Sequence, residues 1–153
     1  MSQVKVIVLR TAGTNCDAET VFAFESCGAH ARAVHINQLF DGRVRLADGH
    51  ILVIPGGFTY GDDIESGRIL ANELRLRLGE DLGRFIGDGK LMLGICNGFQ
   101  VMVKAGILPG PLDSNEEKTH ASAQKATLIN NDSGKFEDRW CHLKTEGKSV
   151  WTE

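Results

Sequence analysis

The chain has 153 residues, 42% of them hydrophobic and 24% charged, which suits one domain with a sizeable core and excludes a disordered composition. Its net charge of -3 comes from interspersed acids and bases, and without a run of lysine or arginine neither nucleic acid nor an anionic membrane is an expected partner. The four cysteines, Cys16, Cys27, Cys96 and Cys141, are widely spaced with no C-x-x-C pair and no Cys/His cluster, so neither a disulfide framework nor a metal site is expected.

Residues 4–9 (VKVIVL) form a short, nearly continuous apolar run, as in a strand covered on both faces. No basic leader with a small-residue cleavage site accompanies it, and nowhere do about 18 apolar residues occur together, so a soluble cytoplasmic protein is expected. Residues 17–27 (DAETVFAFESC) bring Val21, Phe22, Phe24 and Glu25 to helical spacing, with Cys27 expected on the buried side and Gly28 as the stop. Residues 29–36 alternate as a second strand, and 51–54 (ILVI) make a third. Between Gly67 and Gly87, the positions of Ile69, Leu70, Leu74, Leu78, Leu82, Phe85 and Ile86 predict one long or two short amphipathic helices. Residues 91–95 (LMLGI) supply a further buried strand.

Strands alternating with helices imply a doubly wound, mainly parallel α/β sheet. Beyond Gly106 the pattern changes. Leu108-Pro109-Gly110-Pro111 predicts a rigid turn, a polar stretch runs to Ser122, and antiparallel strands are expected at 125–130 and 139–143. No further strand and helix follow, so the single domain, residues 1–153, is expected to leave a sheet edge uncovered and to be incomplete.

The segment richest in chemistry is Gly94-Ile95-Cys96-Asn97-Gly98-Phe99-Gln100, where a small-x-nucleophile-x-small pattern lies at a strand-to-helix turn. This is the cysteine form of a nucleophile elbow, in which Gly94 and Gly98 avoid collisions across a strained turn. The thiol of Cys96 then projects at a helix N-terminus, whose dipole favours a thiolate, and the Asn97 amide is free to face a developing oxyanion. The alternative is a buried cysteine acting as a small hydrophobe. Cys16, Cys27 and Cys141 are read as structural. A second segment, Pro55-Gly56-Gly57-Phe58-Thr59-Tyr60-Gly61-Asp62, follows another apolar strand and should open on the same sheet edge. Its paired glycines let an amide, that of Gly57 or Phe58, act as a second oxyanion donor, although an ordinary β-to-α turn also satisfies the pattern.

PGGFTYGD and GICNGFQ together, followed by LPGPL and by Asn131, Ser133, Gly134, Lys135 and Phe136, resemble the class I (triad) glutamine amidotransferases, most closely the glutaminases of purine biosynthesis. The likeness runs from Val4 to Leu143, with a departure at residues 63–68. It implies a flavodoxin-like sheet, and Cys96 as the nucleophile that attacks the glutamine carboxamide, giving a thioester and ammonia. It further implies Gly57 or Phe58 and Asn97 as the oxyanion hole, and Gln100 as a glutamine-holding residue. The ammonia acceptor would be a separate synthetase carrying ATP and magnesium, with no cofactor in this chain. The family also uses a downstream His-Pro-Glu stretch that is absent here. His30, His35, His50, His120 and His142 stand in other contexts, so the chain is expected to be nearly inactive. The rival readings are a non-catalytic domain of the same fold that binds the synthetase, or another cysteine hydrolase or amidotransferase.

Overall fold

A strand in which nearly every side chain is apolar has to be covered on both faces. The computed structural model describes residues 3–109 and 125–152. Within them β1 (Lys5–Arg10), β2 (His30–His35), β3 (Ile51–Ile54) and β4 (Leu91–Gly94) form one parallel sheet in the order β2-β1-β3-β4. Val6 stands opposite both Ala31 and Ile51, and Ile54 opposite Gly94. The helices α1 (Asp17–Ser26), α2 (Ile36–Phe40), α3 (Arg68–Arg77), α4 (Gly79–Gly87) and α5 (Asn97–Lys104) occupy the connections and the chain after β4. The architecture is the expected α/β fold with a parallel sheet.

The period of two along each strand divides the core. Ile7 and Leu9 of β1 and Leu52 and Ile54 of β3 point to one face, where Leu70 and Leu74 of α3, Leu82 and Phe85 of α4, and Val101 and Met102 of α5 cover them. Val6, Val8, Ala31, Ile51 and Val53 point to the other, against Val21 and Phe24 of α1. Each fully buried aliphatic or phenyl side chain contributes about 1.5–3 kcal/mol relative to exposure. Among the described residues, no helix is long and apolar enough to cross a membrane.

Several expectations need correction. Residues 125–130 and 139–143 form no strands. The segment is irregular, with Phe136, Trp140 and Leu143 almost fully exposed, because among the described residues no neighbouring strand offers a ladder and no apolar surface receives these side chains. The Leu108-Pro109-Gly110-Pro111 turn and the polar stretch after it lie largely outside the described residues. The stretch from Gly67 to Gly87 needs no correction: of the two expected forms it takes that of two short helices, broken at Leu78, whose φ of -122° and ψ of 7° leave the helical range while its side chain stays buried. The second strand stops at His35 because a capping box starts α2 there: the His35 ring accepts from the Asn37 amide at 3.2 Å, and the Gln38 carboxamide accepts from the His35 amide at 3.0 Å. Cys27 is exposed rather than buried. The helix has ended at Ser26, and Gly28, at φ +83°, turns the chain into β2.

The two-sided core predicts opposite sensitivities within one helix. Leu74→Ala, at a fully buried position in α3, is expected to cost about 2–5 kcal/mol. Leu76→Ala, at a position 77% exposed, should change stability by no more than about 0.5 kcal/mol. Urea unfolding of both variants checks this, and equal losses would mean that α3 does not pack as described.

Candidate active site

Between β4 and α5 the chain reverses within a few residues, and the geometry is that of a strained elbow. Cys96 is the N-cap of α5 with φ 52° and ψ -111°, a conformation that a non-glycine residue adopts at a cost of about 1–3 kcal/mol. Two hydrogen bonds and two close approaches hold it. The Ile95 amide donates to the Ile54 carbonyl at 3.0 Å, and the Gly98 amide donates back to the Ile95 carbonyl at 2.8 Å. A Cβ on Gly98 would lie 1.8 Å from the Ile54 carbonyl oxygen, and one on Gly94 would lie 2.8 Å from the Gly98 oxygen. The two glycines are therefore steric requirements, with Gly98 pressed against β3 as well as across the turn. The Cys96 side chain is left exposed.

The loops after β1 and β3 meet beside it. In the strand order, β2 and β3 flank β1, so the chain switches direction between β1 and β3, and the crevice at such a point is where open α/β sheets form their sites. Here the two loops are joined by an antiparallel bridge between Thr14 and Gly57. The Phe58 amide donates to the Gly13 carbonyl at 3.0 Å, and the Tyr60 amide to the Ala12 carbonyl at 2.7 Å. Of the two amides considered at the paired glycines, that of Phe58 is thus already committed. The Gly57 amide has no acceptor among the described residues, and neither does that of Asn97, the first residue of α5. Gly57 sits at φ +133° against Asn15, and Gly56 is so close to the elbow that a Cβ there would touch that of Cys96 at 3.4 Å.

The side chain of Asn97, only 1% exposed, binds these parts together. Its oxygen accepts from the Thr59 amide at 3.3 Å and the Thr59 hydroxyl at 2.8 Å. Its nitrogen donates to Asp62 Oδ1 at 3.2 Å and to Gln100 Oε1 at 3.2 Å. The carboxamide's hydrogen-bonding capacity is fully used. Asp62 Oδ1 also accepts from the Gly67 amide at the start of α3, at 3.0 Å. The loop between β3 and α3 is correspondingly contorted, with Tyr60, Gly61 and Asp62 all at positive φ. The Tyr60 hydroxyl donates to the Glu73 carboxylate, and partial burial, reinforced by that carboxylate, pushes the phenol above its ordinary ionisation range.

The structure brings Cys96, Asn97, Gly57 and Gln100 to one sheet edge, while the Phe58 ring is exposed at 62%. It brings no imidazole to Cys96 among the described residues. His30 and His50 lie at the N-terminal ends of β2 and β3, the opposite edge, with His50 Nδ1 accepting from the Lys5 amide at 2.9 Å. His35 caps α2, His142 lies in the irregular segment, and His120 is outside the described residues. All four cysteines are exposed, so exposure alone does not single out Cys96. Sequence reasoning missed the loop from Thr11 to Cys16 and the side chains of Thr59 and Asp62. Their available signal was small polar residues directly after two neighbouring apolar strands.

A family model described as a CobB/CobQ-like glutamine amidotransferase domain matches residues 3–153. A Dehalococcoides mccartyi protein named phosphoribosylformylglycinamidine synthase subunit PurQ is 54% identical over 143 residues, covering 94% of this chain and 53% of the relative. An Archaeoglobus fulgidus protein of the same name is 44% identical, with 95% and 55% covered. Among solved structures, one titled as PurLQS from Thermotoga maritima aligns with a TM-score of 0.61 at 31% identity, covering 72% of this chain and 48% of that one. The chain spans about half the length of the curated relatives it matches.

Two outcomes are expected from the elbow's geometry. Gly98→Ala should lower stability by about 3 kcal/mol or more, since its Cβ meets immobile backbone. Gly83→Ala, in α4 with nothing within 4 Å, should raise it by about 0.5–1 kcal/mol; thermal unfolding of the two distinguishes them. Iodoacetamide should label Cys96 about tenfold faster than Cys16, Cys27 or Cys141. The first turn of α5 holds no acidic residue, whereas Asp17 and Glu19 follow Cys16. Equal labelling of all four in mass-spectrometric mapping would remove the basis for a distinctive Cys96.

Proposed function

The chain belongs to the CobB/CobQ-like glutamine amidotransferase domain family, and from that premise we propose that it carries the nucleophile-bearing part of the glutaminase subunit of phosphoribosylformylglycinamidine synthase. The reading is supported by the names of its relatives. The observation that carries it is the strained Cys96 elbow beside an uncommitted Gly57 amide.

In this reading the Cys96 sulfur attacks the carboxamide carbon of glutamine. The carbonyl oxygen takes up the negative charge and is held by the amides of Gly57 and Asn97, which are fixed before substrate arrives and need no reorganisation. Collapse of the adduct expels ammonia and leaves a γ-glutamyl thioester, which water hydrolyses to glutamate. Gln100, held by Asn97 one turn into α5, contributes to seating the substrate. Thiol deprotonation, protonation of the leaving amine and activation of the deacylating water call for a base. The resemblance assigns these steps to a histidine oriented by a glutamate, downstream of the sequence motifs found here. The ammonia passes to a synthetase in the cytoplasm, which binds ATP, magnesium and formylglycinamide ribonucleotide.

Glutamate release tests this. The 153-residue chain is expected to run at least about a thousandfold slower than the Dehalococcoides mccartyi relative. A chimera continuing after Glu153 with the rest of that relative should recover activity, respond to a synthetase, and lose activity on Cys96→Ala. A chimera indifferent to Cys96→Ala would rule out the thioester route. Full activity in the 153-residue chain would instead place a working base among its own histidines.

A further inference from the structure

Gly56 separates two thiols that come from different loops. A Cβ built on it would stand 3.4 Å from the Cys96 Cβ and 3.8 Å from the Cys16 sulfur, so both cysteine side chains border the space left open because residue 56 has no side chain. Both cysteines are free and exposed. Cys96 caps α5, Cys16 caps α1, and the Cys16 thiol donates to Asn15 Oδ1 at 3.4 Å. The Cys16 loop is tied to the Gly57 loop through the Thr14–Gly57 bridge, which keeps the pair in register. Among the described residues, neither Cys27, at the far end of α1, nor Cys141, in the irregular segment, is joined to the elbow by any such contact.

We propose that Cys16 and Cys96 form a redox pair, in which Cys16 resolves an oxidised Cys96 into a reversible disulfide. The oxidant is hydrogen peroxide. The Cys96 thiolate attacks the peroxide's terminal oxygen, the O–O bond breaks, and Cys96 becomes a sulfenic acid as hydroxide leaves. The Cys16 sulfur then attacks the Cys96 sulfur, a second hydroxide departs, and the thiol protons convert both to water. Two thiols have lost two electrons to one peroxide. The disulfide halts the chain short of irreversible sulfinic acid and returns to thiols on reduction. Transient pairs of this kind are the form that disulfides take in reducing compartments. The inference needs only a reactive Cys96 and does not rest on glutamine as its substrate.

The test is peptide mapping of the native protein after brief treatment with hydrogen peroxide. A peptide linking Cys16 to Cys96, cleaved by dithiothreitol, is expected. In Cys16→Ser, the sulfinic acid form of Cys96 should rise on the order of tenfold over wild type. Gly56→Ala places a methyl group in ordinary contact between the thiols, at a residue outside the left-handed region, and should slow the cross-link about tenfold. Sulfenic acid trapping by dimedone should continue in that variant. The proposal fails if Cys96 links equally to Cys27, to Cys141 or to a second molecule, or if it over-oxidises equally with and without Cys16. The mapping reads bonds and not ammonia, so a failed glutaminase assay leaves it standing, and the reverse holds too.

Discussion

One buried carboxamide decides whether this sheet edge is a set of loops or a site. Asn97 follows the strained Cys96 directly and is hydrogen-bonded to Thr59, Asp62 and Gln100. Each such bond contributes a net of about 0.5–1.5 kcal/mol, and together they offset the cost of holding Cys96 at φ 52°. They also fix the loop whose glycines bring the Gly57 amide beside the elbow. The same Asp62 oxygen accepts from the Gly67 amide, so the anchorage of α3 and the shape of the Cys96 turn share one acceptor. Replacing Asn97 would leave Thr59 and Asp62 short of partners in a confined space, where unsatisfied polar groups are most costly.

Much of this was legible in the residues, and the parts that were not share a cause. Apolar runs at 51–54 and 91–95 announced strands, and β3 is buried along its whole length as expected, whereas β4 stops at Gly94 and is only partly buried, with Ile95 exposed. Gly94 and Gly98 announced the elbow because only glycine survives such close backbone approach. The roles of Thr59 and Asp62 stayed hidden, since they arise from a contact with Asn97 some 38 and 35 residues away. The Phe58 amide looked as available as that of Gly57 until the Gly13 carbonyl was found to occupy it. Cys27 was misplaced because helical periodicity does not say where a helix ends. At 125–130 and 139–143, β-forming side chains suggested strands, but a strand is a property of a pair, and among the described residues no partner strand pairs with them.

The placement of the candidate site follows from strand order. Because β1 lies between β2 and β3, the connections leaving β1 and β3 diverge to opposite faces, with α1 on one and α3 on the other. The crevice between them receives the Thr11–Cys16 loop and the Gly56–Asp62 loop, while β4, next to β3, delivers Cys96 alongside. Three chain segments with no sequence relation meet at one point because the parallel sheet sends all of its strand ends the same way.

That convergence has a kinetic side. The Thr14–Gly57 bridge and the Thr59–Asn97 bonds each close a loop of about forty residues, and contacts of such separation form late, after the entropy of closure has been met by hydrophobic packing of the strands. A chain still being folded therefore presents Cys96 as an ordinary, unstrained thiol. Its strained backbone is set only when the far segments have docked, so the elbow conformation of the cysteine coincides with completed folding.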